Sequence, residues 1–481
     1  MTAGEGAEDR RRRRADAEEN VARILEAATE LLASDPDTSI DEIAAAAGVA
    51  RVTVYRHFSS RQRLVEAVHR RTREASDTNQ SDALRPPGQL GGAVVLDVAD
   101  VLNKVPPHLL GEQIVAEAQR LAGVSSVAVY LVDLEGECLL RLAGSAEFPP
   151  EIPAPLAVGP EIPREGLLDL AQTIEDQLPG CVVAPLLLRG RAVGALLAVD
   201  APEGALADLA REAAAAIELA GAYTDVFDAT RRHRETSAAA EIQQNLLPPR
   251  LVRISGGSLA GNVLPGYEIG GDWFDYVENR TGAWIGIGDA HGTGTSAAAL
   301  SAVALGAFRA KRRIDASLPE TIAAMHQTMR ETKVADREVR ALIGRWHAPS
   351  SIFRWISAGD HRPLLIDVDG GLHQLGEESS PALGSAADEL DLAPHQARVG
   401  PGARLLLLSD GVLHRQGDGG PLGVDGIHRA VNQVPGGSAA ATLRAIQHLL
   451  YQASEDVLED DATIVVLAAA RGRPRGSPAT R

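Results

Sequence analysis

Four short acidic motifs in the C-terminal half of the chain carry side chains suited to gripping a hard cation. They are Gly270-Gly271-Asp272-Trp273-Phe274-Asp275, Gly288-Asp289-Ala290-His291-Gly292, Ser409-Asp410-Gly411 and Asp460-Asp461-Ala462-Thr463. Taken singly, Asp beside Gly is the ordinary composition of a turn. Four such motifs in one region are different, because clustered carboxylates repel one another unless a cation neutralises them. An all-oxygen donor set suits Mg²⁺ or Mn²⁺ better than zinc. Two such ions about 3.5 to 4 Å apart can clamp a phosphoryl group for in-line attack, and no phosphoenzyme is needed.

The elements that must position these acids are legible beside them. Ala283 to Gly288 and Arg404 to Leu408 are apolar, strand-like runs ending at Asp289 and Asp410, and Thr463 to Leu467 is a strand that begins just after Asp460 and Asp461. The carboxylates are therefore expected to gather at one rim of a sheet.

These motifs, in this order, resemble the metal-dependent protein serine/threonine phosphatases of the PPM type, and in particular their bacterial branch typified by the stage II sporulation phosphatase. The resemblance runs from about Ala239 to Leu467. It includes the entry signature Glu241-Ile242-Gln243-Gln244-Asn245-Leu246-Leu247-Pro248, then Ser357-Ala358-Gly359 with Pro363-Leu364-Leu365, and Pro381-Ala382-Leu383-Gly384. It implies a β-sandwich flanked by helices and two Mn²⁺ or Mg²⁺ ions. Asp289 would bridge them, the Ala290 carbonyl would complete one coordination sphere, and Asp272, Asp410 and Asp460 would supply the other carboxylates, with Asp461 the alternative to Asp460. His291 stands where some relatives carry a histidine suited to protonating the leaving serine oxygen; the alternative is a loop histidine without that duty. The implied substrate is a phosphoprotein, usually an anti-sigma factor antagonist. Two departures accompany the match. Gly359-Asp360-His361-Arg362-Pro363 stands where relatives read Gly-His-Pro, and Arg340 stands where a small hydroxyl residue is common.

The N-terminal region reads differently. Val21, Ile24, Leu25, Ala28, Leu31 and Leu32 recur at helical spacing, predicting a helix from about 18 to 34. Ser39 and Glu42 have the form of a capping box for a short helix through Ala47, Gly48 ends it, and Arg51 to Phe58 make the next, with a fourth carrying Leu64, Val65 and Val68. Arg51, Arg56, Arg61, Arg63, Arg70, Arg71 and Arg73 face a single acid, Glu66, in this stretch. The segment resembles the helix-turn-helix domain of the tetracycline-repressor (TetR) family through Ser39 to Ala44 and Gly48 to Phe58. The resemblance implies that Arg51, Thr53, Tyr55, Arg56 and His57 meet the major groove or its flanking phosphates. A small bundle used for dimerisation is the alternative. Arg10 to Arg14 reads as a solvated tail, with a minor-groove arm as the other possibility. The helical ligand-binding domain usual in that family does not follow.

Between these regions, Val127 to Val132 and Cys138 to Ala143 read as strands about Glu135-Gly136. Cys181 to Leu188 and Ala192 to Val199 read as a hairpin about Arg189-Gly190-Arg191. This order is similar to a GAF sensor domain, without a diagnostic motif, and a domain serving only dimerisation and spacing is the alternative. Ala205 to Leu247 reads as one or two long Ala-rich helices that would pair in a dimer or act as a spacer.

The fold class expected is thus multidomain: an all-α helix-turn-helix, an α/β GAF-like sensor and an α/β PPM phosphatase. The boundaries are 15–80 for the DNA-binding domain, 81–107 a linker, 108–222 the sensor, 223–247 a helical linker, 248–470 the phosphatase and 471–481 a tail. Bulk properties agree with this. A chain of 481 residues exceeds one ordinary core. The net charge of −18 argues against nucleic-acid binding by the protein as a whole and leaves the local basic stretch to do it. No apolar run is long enough for a membrane span and no signal-peptide pattern opens the chain, so a cytoplasmic protein is expected, with no membrane partner. Cys138 and Cys181 lack zinc-site spacing and are expected as buried thiols. A two-fold reader of DNA implies a homodimer. The runner-up function is a DNA-binding transcriptional regulator whose phosphatase fold only receives a signal. Retention of all the Asp positions speaks against it, since clustering carboxylates without a cation is costly.

Overall fold

The computed structural model describes residues 21–29, 31, 38, 40–58, 64, 67–68 and 93–471, except 155–158, 160, 233–234, 265–269, 281, 333–336, 377–379, 388–389, 391, 418–419 and 454–460. Met1–Leu90 and Gly91–Arg481 are separate compact units.

In the first unit, residues 21–29 are helical, followed by the helices Ile40–Ala46 and Arg51–His57. Gly48 ends the earlier of the two at φ +64°, the left-handed conformation that glycine adopts without a steric penalty. Ile24, Ala28, Ile43, Ala44, Val54, Leu64 and Val68 close one apolar core around this turn. Ser39 of the expected capping box, Arg10 to Arg14 and the basic residues Arg61, Arg63, Arg70, Arg71 and Arg73 lie outside the described residues.

The second unit begins with an antiparallel sheet built from β1 (Val127–Val132), β2 (Cys138–Gly144), β3 (Glu151–Pro153), β4 (Ile162–Pro163), β5 (Cys181–Leu188) and β6 (Arg191–Val199). Its path is β3-β2-β1-β6-β4, with β5 also on β6. Arg189 and Gly190 both take positive φ, the two-residue hairpin geometry that matches strand twist. The helices Leu110–Ala122 and Ala207–Ala220 cover one face and Leu167–Gln177 the other. Cys138 and Cys181 are buried and not joined in a disulfide.

Two expectations are revised here. Part of the expected linker is the helix Ala93–Lys104, because its Val98 and Leu102 find a partner in the sheet's core. The expected long Ala-rich helices are three pieces, Ala207–Ala220, Val226–Thr230 and Ala238–Leu246. Thr224 turns extended after the first, and Ser237 is extended as the N-cap of the last, its hydroxyl accepting from the Ala240 amide.

The rest is a four-layer sandwich. One sheet runs β15 (His395–Arg398), β12 (Ile352–Ala358), β11 (Val339–His347), β10 (Gly282–Ala290), β9 (Asp272–Asn279). The other runs β14 (Leu372–Gln374), β13 (Leu364–Ile366), β16 (Arg404–Leu408), β19 (Ala462–Ala469), β8 (Gly257–Leu264), β7 (Leu251–Ile254), while β17 (Gln416–Gly417) and β18 (Gly420–Pro421) form a small ribbon. Alternate residues divide the strands between layers, as the period of two requires. Phe274, Ile285, Ile287, Leu342, Leu405, Leu407, Val465 and Leu467 meet between the sheets. Trp273, Trp284 and Ile343 face outward to the helices Gly294–Arg313 and Leu318–Glu331, and Leu406, Ile464 and Val466 face Gly423–Asn432 and Ala439–Ala453. Each such fully buried side chain contributes roughly 1.5–3 kcal/mol. Among the described residues no helix is long and apolar enough to cross a membrane.

A buried charged seam joins the six-stranded sheet to the sandwich. Glu161 is clasped by Arg191 and accepts from the Arg250 amide at 3.2 Å, while the Leu134 amide donates to the Arg231 carbonyl at 2.8 Å. Burial pushes the Glu161 carboxyl up to about 7 despite the opposing pull of Arg191 and Arg250. The folded chain therefore binds this proton more tightly than the unfolded one. The contribution is complete below about 4.5 and is lost as pH rises through about 7. Urea unfolding of wild type beside Glu161→Gln is expected to show wild type losing up to roughly 3 kcal/mol relative to the variant between pH 4.5 and 8.

Candidate metal centre

Register places the acids before any side-chain contact is considered. Asp289 on β10 lies directly opposite Asp272 on β9 and directly opposite Arg340 on β11. Directly paired residues share a face. Asp272, Asp289 and Arg340 have the parity of Phe274, Ile287 and Leu342, so all three point between the sheets, at the rim where the apolar filling ends. Asp275 has the opposite parity and goes elsewhere: buried, it holds Arg309 at 2.8 Å and Arg312 at 2.7 Å on the helix Gly294–Arg313. One motif thus contributes one carboxylate to the rim and one to helix docking.

The second sheet delivers its residues to the same rim. Asp410 opens a four-residue helix, Asp410–Leu413, directly after β16 and Ser409. The strand ends are pinned by Ser409 N donating to Thr463 O at 3.0 Å and Thr463 N donating to Ser409 Oγ at 2.8 Å. Thr463 Oγ1 then donates to Asp272 Oδ2 at 2.7 Å across the sandwich. Asp461 is buried, and its Oδ2 accepts from Gly271 N at 2.7 Å, Asp272 N at 3.0 Å and Gln243 Nε2 at 2.9 Å. That is a bracing role, distinct from the ligand role weighed for it. Asp460 lies outside the described residues. Gln243 also donates to the Asp272 carbonyl at 2.9 Å, which gives the entry signature a physical purpose.

Burial raises the Asp272 carboxyl well above the usual carboxylate range, with Asp289 and Asp461 adding to it, and Thr463 partly offsets this. Arg340 answers the crowding. Its Nη2 binds Asp289 Oδ2, its Nη1 binds Asp410 Oδ2, and Asp360 Oδ1 lies 3.9 Å away. Among the described residues, no group of three or more His, Cys, Asp or Glu side chains is disposed to hold a metal ion. The donor chemistry nevertheless suits a hard cation, because Asp410 Oδ1 is buried without a hydrogen-bond partner and its carboxylate shares the Arg340 guanidinium with that of Asp289. The set fits in donor type, and its present spacing is that of carboxylates drawn onto a guanidinium.

The Ala290 amide donates to the Gly271 carbonyl at 3.1 Å, which fixes the backbone of the next candidate ligand. His291 is exposed on the following turn, its amide donating to Glu338 O at 3.1 Å. In the N-terminal unit, Arg51, Thr53, Tyr55, Arg56 and His57 all fall on the helix Arg51–His57, where Arg51 is exposed, Thr53 and His57 are half-buried and Val54 is buried. Sequence reasoning missed Gln243, Ser409 and Thr463 as site residues, and treated Arg340 as a departure rather than a member. No local signal sets Arg340 opposite Asp289; the register of β10 against β11 does.

Two family models match parts of the chain. Residues 279–470 match the family model described as stage II sporulation protein E (SpoIIE), and residues 24–68 match bacterial regulatory proteins, tetR family. Phosphoserine phosphatase RsbU of Bacillus subtilis (strain 168) is 25% identical over 242 residues, covering 48% of this chain and 69% of that protein. Among solved structures, the SiaA-PP2C domain of Pseudomonas aeruginosa is 20% identical, covers 48% of this chain and 94% of its own, and has a TM-score of 0.41. The PP2C phosphatase domain with a fragment of the regulatory domain of SpoIIE from Bacillus subtilis is 12% identical, covers 84% of this chain and 100% of its own, and has a TM-score of 0.39.

Proposed function

We propose that this chain, which carries a SpoIIE-type phosphatase domain and a tetR-type N-terminal domain, is a metal-dependent protein serine/threonine phosphatase whose substrate is a phosphorylated regulatory protein of the anti-sigma factor antagonist class. The observation that carries the reading is the convergence of Asp272, Asp289 and Asp410, from two sheets, on one rim of the sandwich. Asp272, Asp289, the Ala290 carbonyl, Asp410 and Asp460 would hold Mn²⁺ or Mg²⁺, two ions in all. Bound there, the ions supply Lewis-acid activation of water and neutralise phosphoryl charge. Asp461 and Gln243 hold the Asp272 backbone in place, and Thr463 orients its carboxylate. His291, on the exposed turn beside Asp289, delivers a proton to the departing serine oxygen.

The six-stranded domain is read as a GAF-like sensor, its seam with the sandwich being the route by which a bound ligand alters the rim. The helix Arg51–His57 is read as the DNA-contacting helix of a cytoplasmic homodimer. Its contribution has a measurable signature. DNA affinity, followed by fluorescence anisotropy, falls as salt rises, and Arg51→Ala lowers the slope of log K against log salt by about 1. Affinity insensitive to salt would remove this assignment.

The test of the enzyme is hydrolysis of a phosphoserine peptide by the purified chain with Mn²⁺, with Mg²⁺ and with chelator. Turnover is expected with either metal and none with chelator. A folded, DNA-binding chain inert in every metal, on peptide and on phosphoprotein alike, would instead mark the sandwich as a signal-receiving module.

A further inference from the structure

The two departures from the phosphatase pattern are neighbours in space. Arg340 is on β11, and the Gly359-Asp360-His361 segment follows β12, its antiparallel partner. The stem of Arg340 lies on Gly359, where an added Cβ would approach Arg340 Cγ to 2.8 Å and Cβ to 2.9 Å. Gly359 stands at φ +109°. From there the guanidinium reaches Asp289 and Asp410 together, one nitrogen to each, with Asp360 as a third acid at 3.9 Å. Asp289 and Asp410 are two of the carboxylates the proposed metal centre requires.

We propose that Arg340 is a tethered counter-cation that competes with divalent metal for Asp289 and Asp410, so that the centre stands in either a guanidinium-held or a metal-held state. This rests on the metal-centre reading above. Two observations support it. The Arg340 guanidinium binds Asp289 and Asp410 at once, the two carboxylates coming from different sheets of the sandwich. The side chain is 29% exposed, and Asp360 is 55% exposed, so the guanidinium has an open direction in which to leave and a carboxylate to turn to. A guanidinium and a divalent ion cannot share the same two carboxylate oxygens, because like charges at contact distance repel strongly where water is scarce. Arg340 is therefore a residue that tunes metal occupancy; it takes no part in the chemical step.

Mn²⁺ binding to the full chain, counted from free Mn²⁺ by electron paramagnetic resonance, tests this without reference to activity. Arg340→Met keeps the stem against Gly359 and removes the charge, and Arg340→Ser removes both. Each is expected to tighten Mn²⁺ binding at least tenfold over wild type, with Arg340→Lys between. The tightening should vanish when Asp289→Asn is added. In chelator, thermal unfolding of Arg340→Met should come lower than wild type, and Mn²⁺ should restore it. Equal Mn²⁺ affinity in wild type and Arg340→Met, with binding still abolished by Asp289→Asn, would overturn the competition and leave the metal centre standing. No Mn²⁺ binding by any variant would overturn the metal centre itself, and the competition with it. Should Arg340→Ser fail to fold without metal, Arg340→Met decides.

Discussion

Asp289→Asn is expected to reduce hydrolysis of a phosphoserine peptide at saturating Mn²⁺ by about 10³-fold or more. Asp289 is the middle member of the row Asp272, Asp289, Arg340, directly paired with a residue on each neighbouring strand. An amide there keeps the size and the strand pairing but carries no charge. The charge stabilisation a bound cation offers a transferring phosphoryl group is several kcal/mol, and about 1.4 kcal/mol is tenfold in rate. Losing the carboxylate proposed to bridge the two ions would forfeit most of it. Steady-state kcat/KM, with circular dichroism to confirm folding, makes the measurement. A loss below tenfold would take the bridging role away from Asp289.

Gly411→Ala is expected to damage the same centre from the opposite sheet, by steric means. A Cβ on Gly411 would sit 1.9 Å from the Asp461 carbonyl oxygen and 2.9 Å from its carbonyl carbon. Both are backbone atoms, so no side chain can turn aside. The two segments are clamped at this point by the paired Ser409 and Thr463 hydrogen bonds. The methyl must part them where Asp410, Asp461 and the Thr463 contact to Asp272 converge. Overpacking of this kind costs about 1–3 kcal/mol, and more when backbone must move. Urea unfolding in chelator should register at least that loss, with phosphatase activity falling alongside. Gly306→Ala is the control: it is exposed on the helix Gly294–Arg313 with open space around it, and should be neutral or stabilise by up to about 1 kcal/mol. Equal stability of Gly411→Ala and wild type would mean the DG turn is free to shift.

Much of the centre was legible because strand periodicity and motif position are local properties. The apolar run 283 to 288 does end at the rim, Asp410 does follow its strand at once, and Thr463 does open the last one. The helix Arg51–His57 and the Arg189-Gly190 hairpin followed from local turn chemistry in the same way. What sequence reading could not supply was pairing at a distance. Arg340 and Asp289 are 51 positions apart, Gln243 and Asp461 are 218 apart, and Glu161 and Arg250 are 89 apart. No periodicity links such residues; only sheet order and register do. The Ala-rich stretch misled for the opposite reason. Alanine favours helix everywhere, so it does not say where one helix stops, and the breaks came from packing and from Ser237.

The seam around Glu161 bears on how such a chain can be cut and rejoined. Arg250 lies close enough to the six-stranded domain that a Cβ on Gly159 would come within 2.2 Å of its Cδ, and its amide is satisfied by Glu161. Severing the chain at residue 248 would leave Glu161 with Arg191 in one fragment and part it from the Arg250 amide in the other. A chimaera that joins a foreign domain to this catalytic half must therefore bring a buried acceptor for the Arg250 amide, or graft the segment from Gly91 onward as one inheritance.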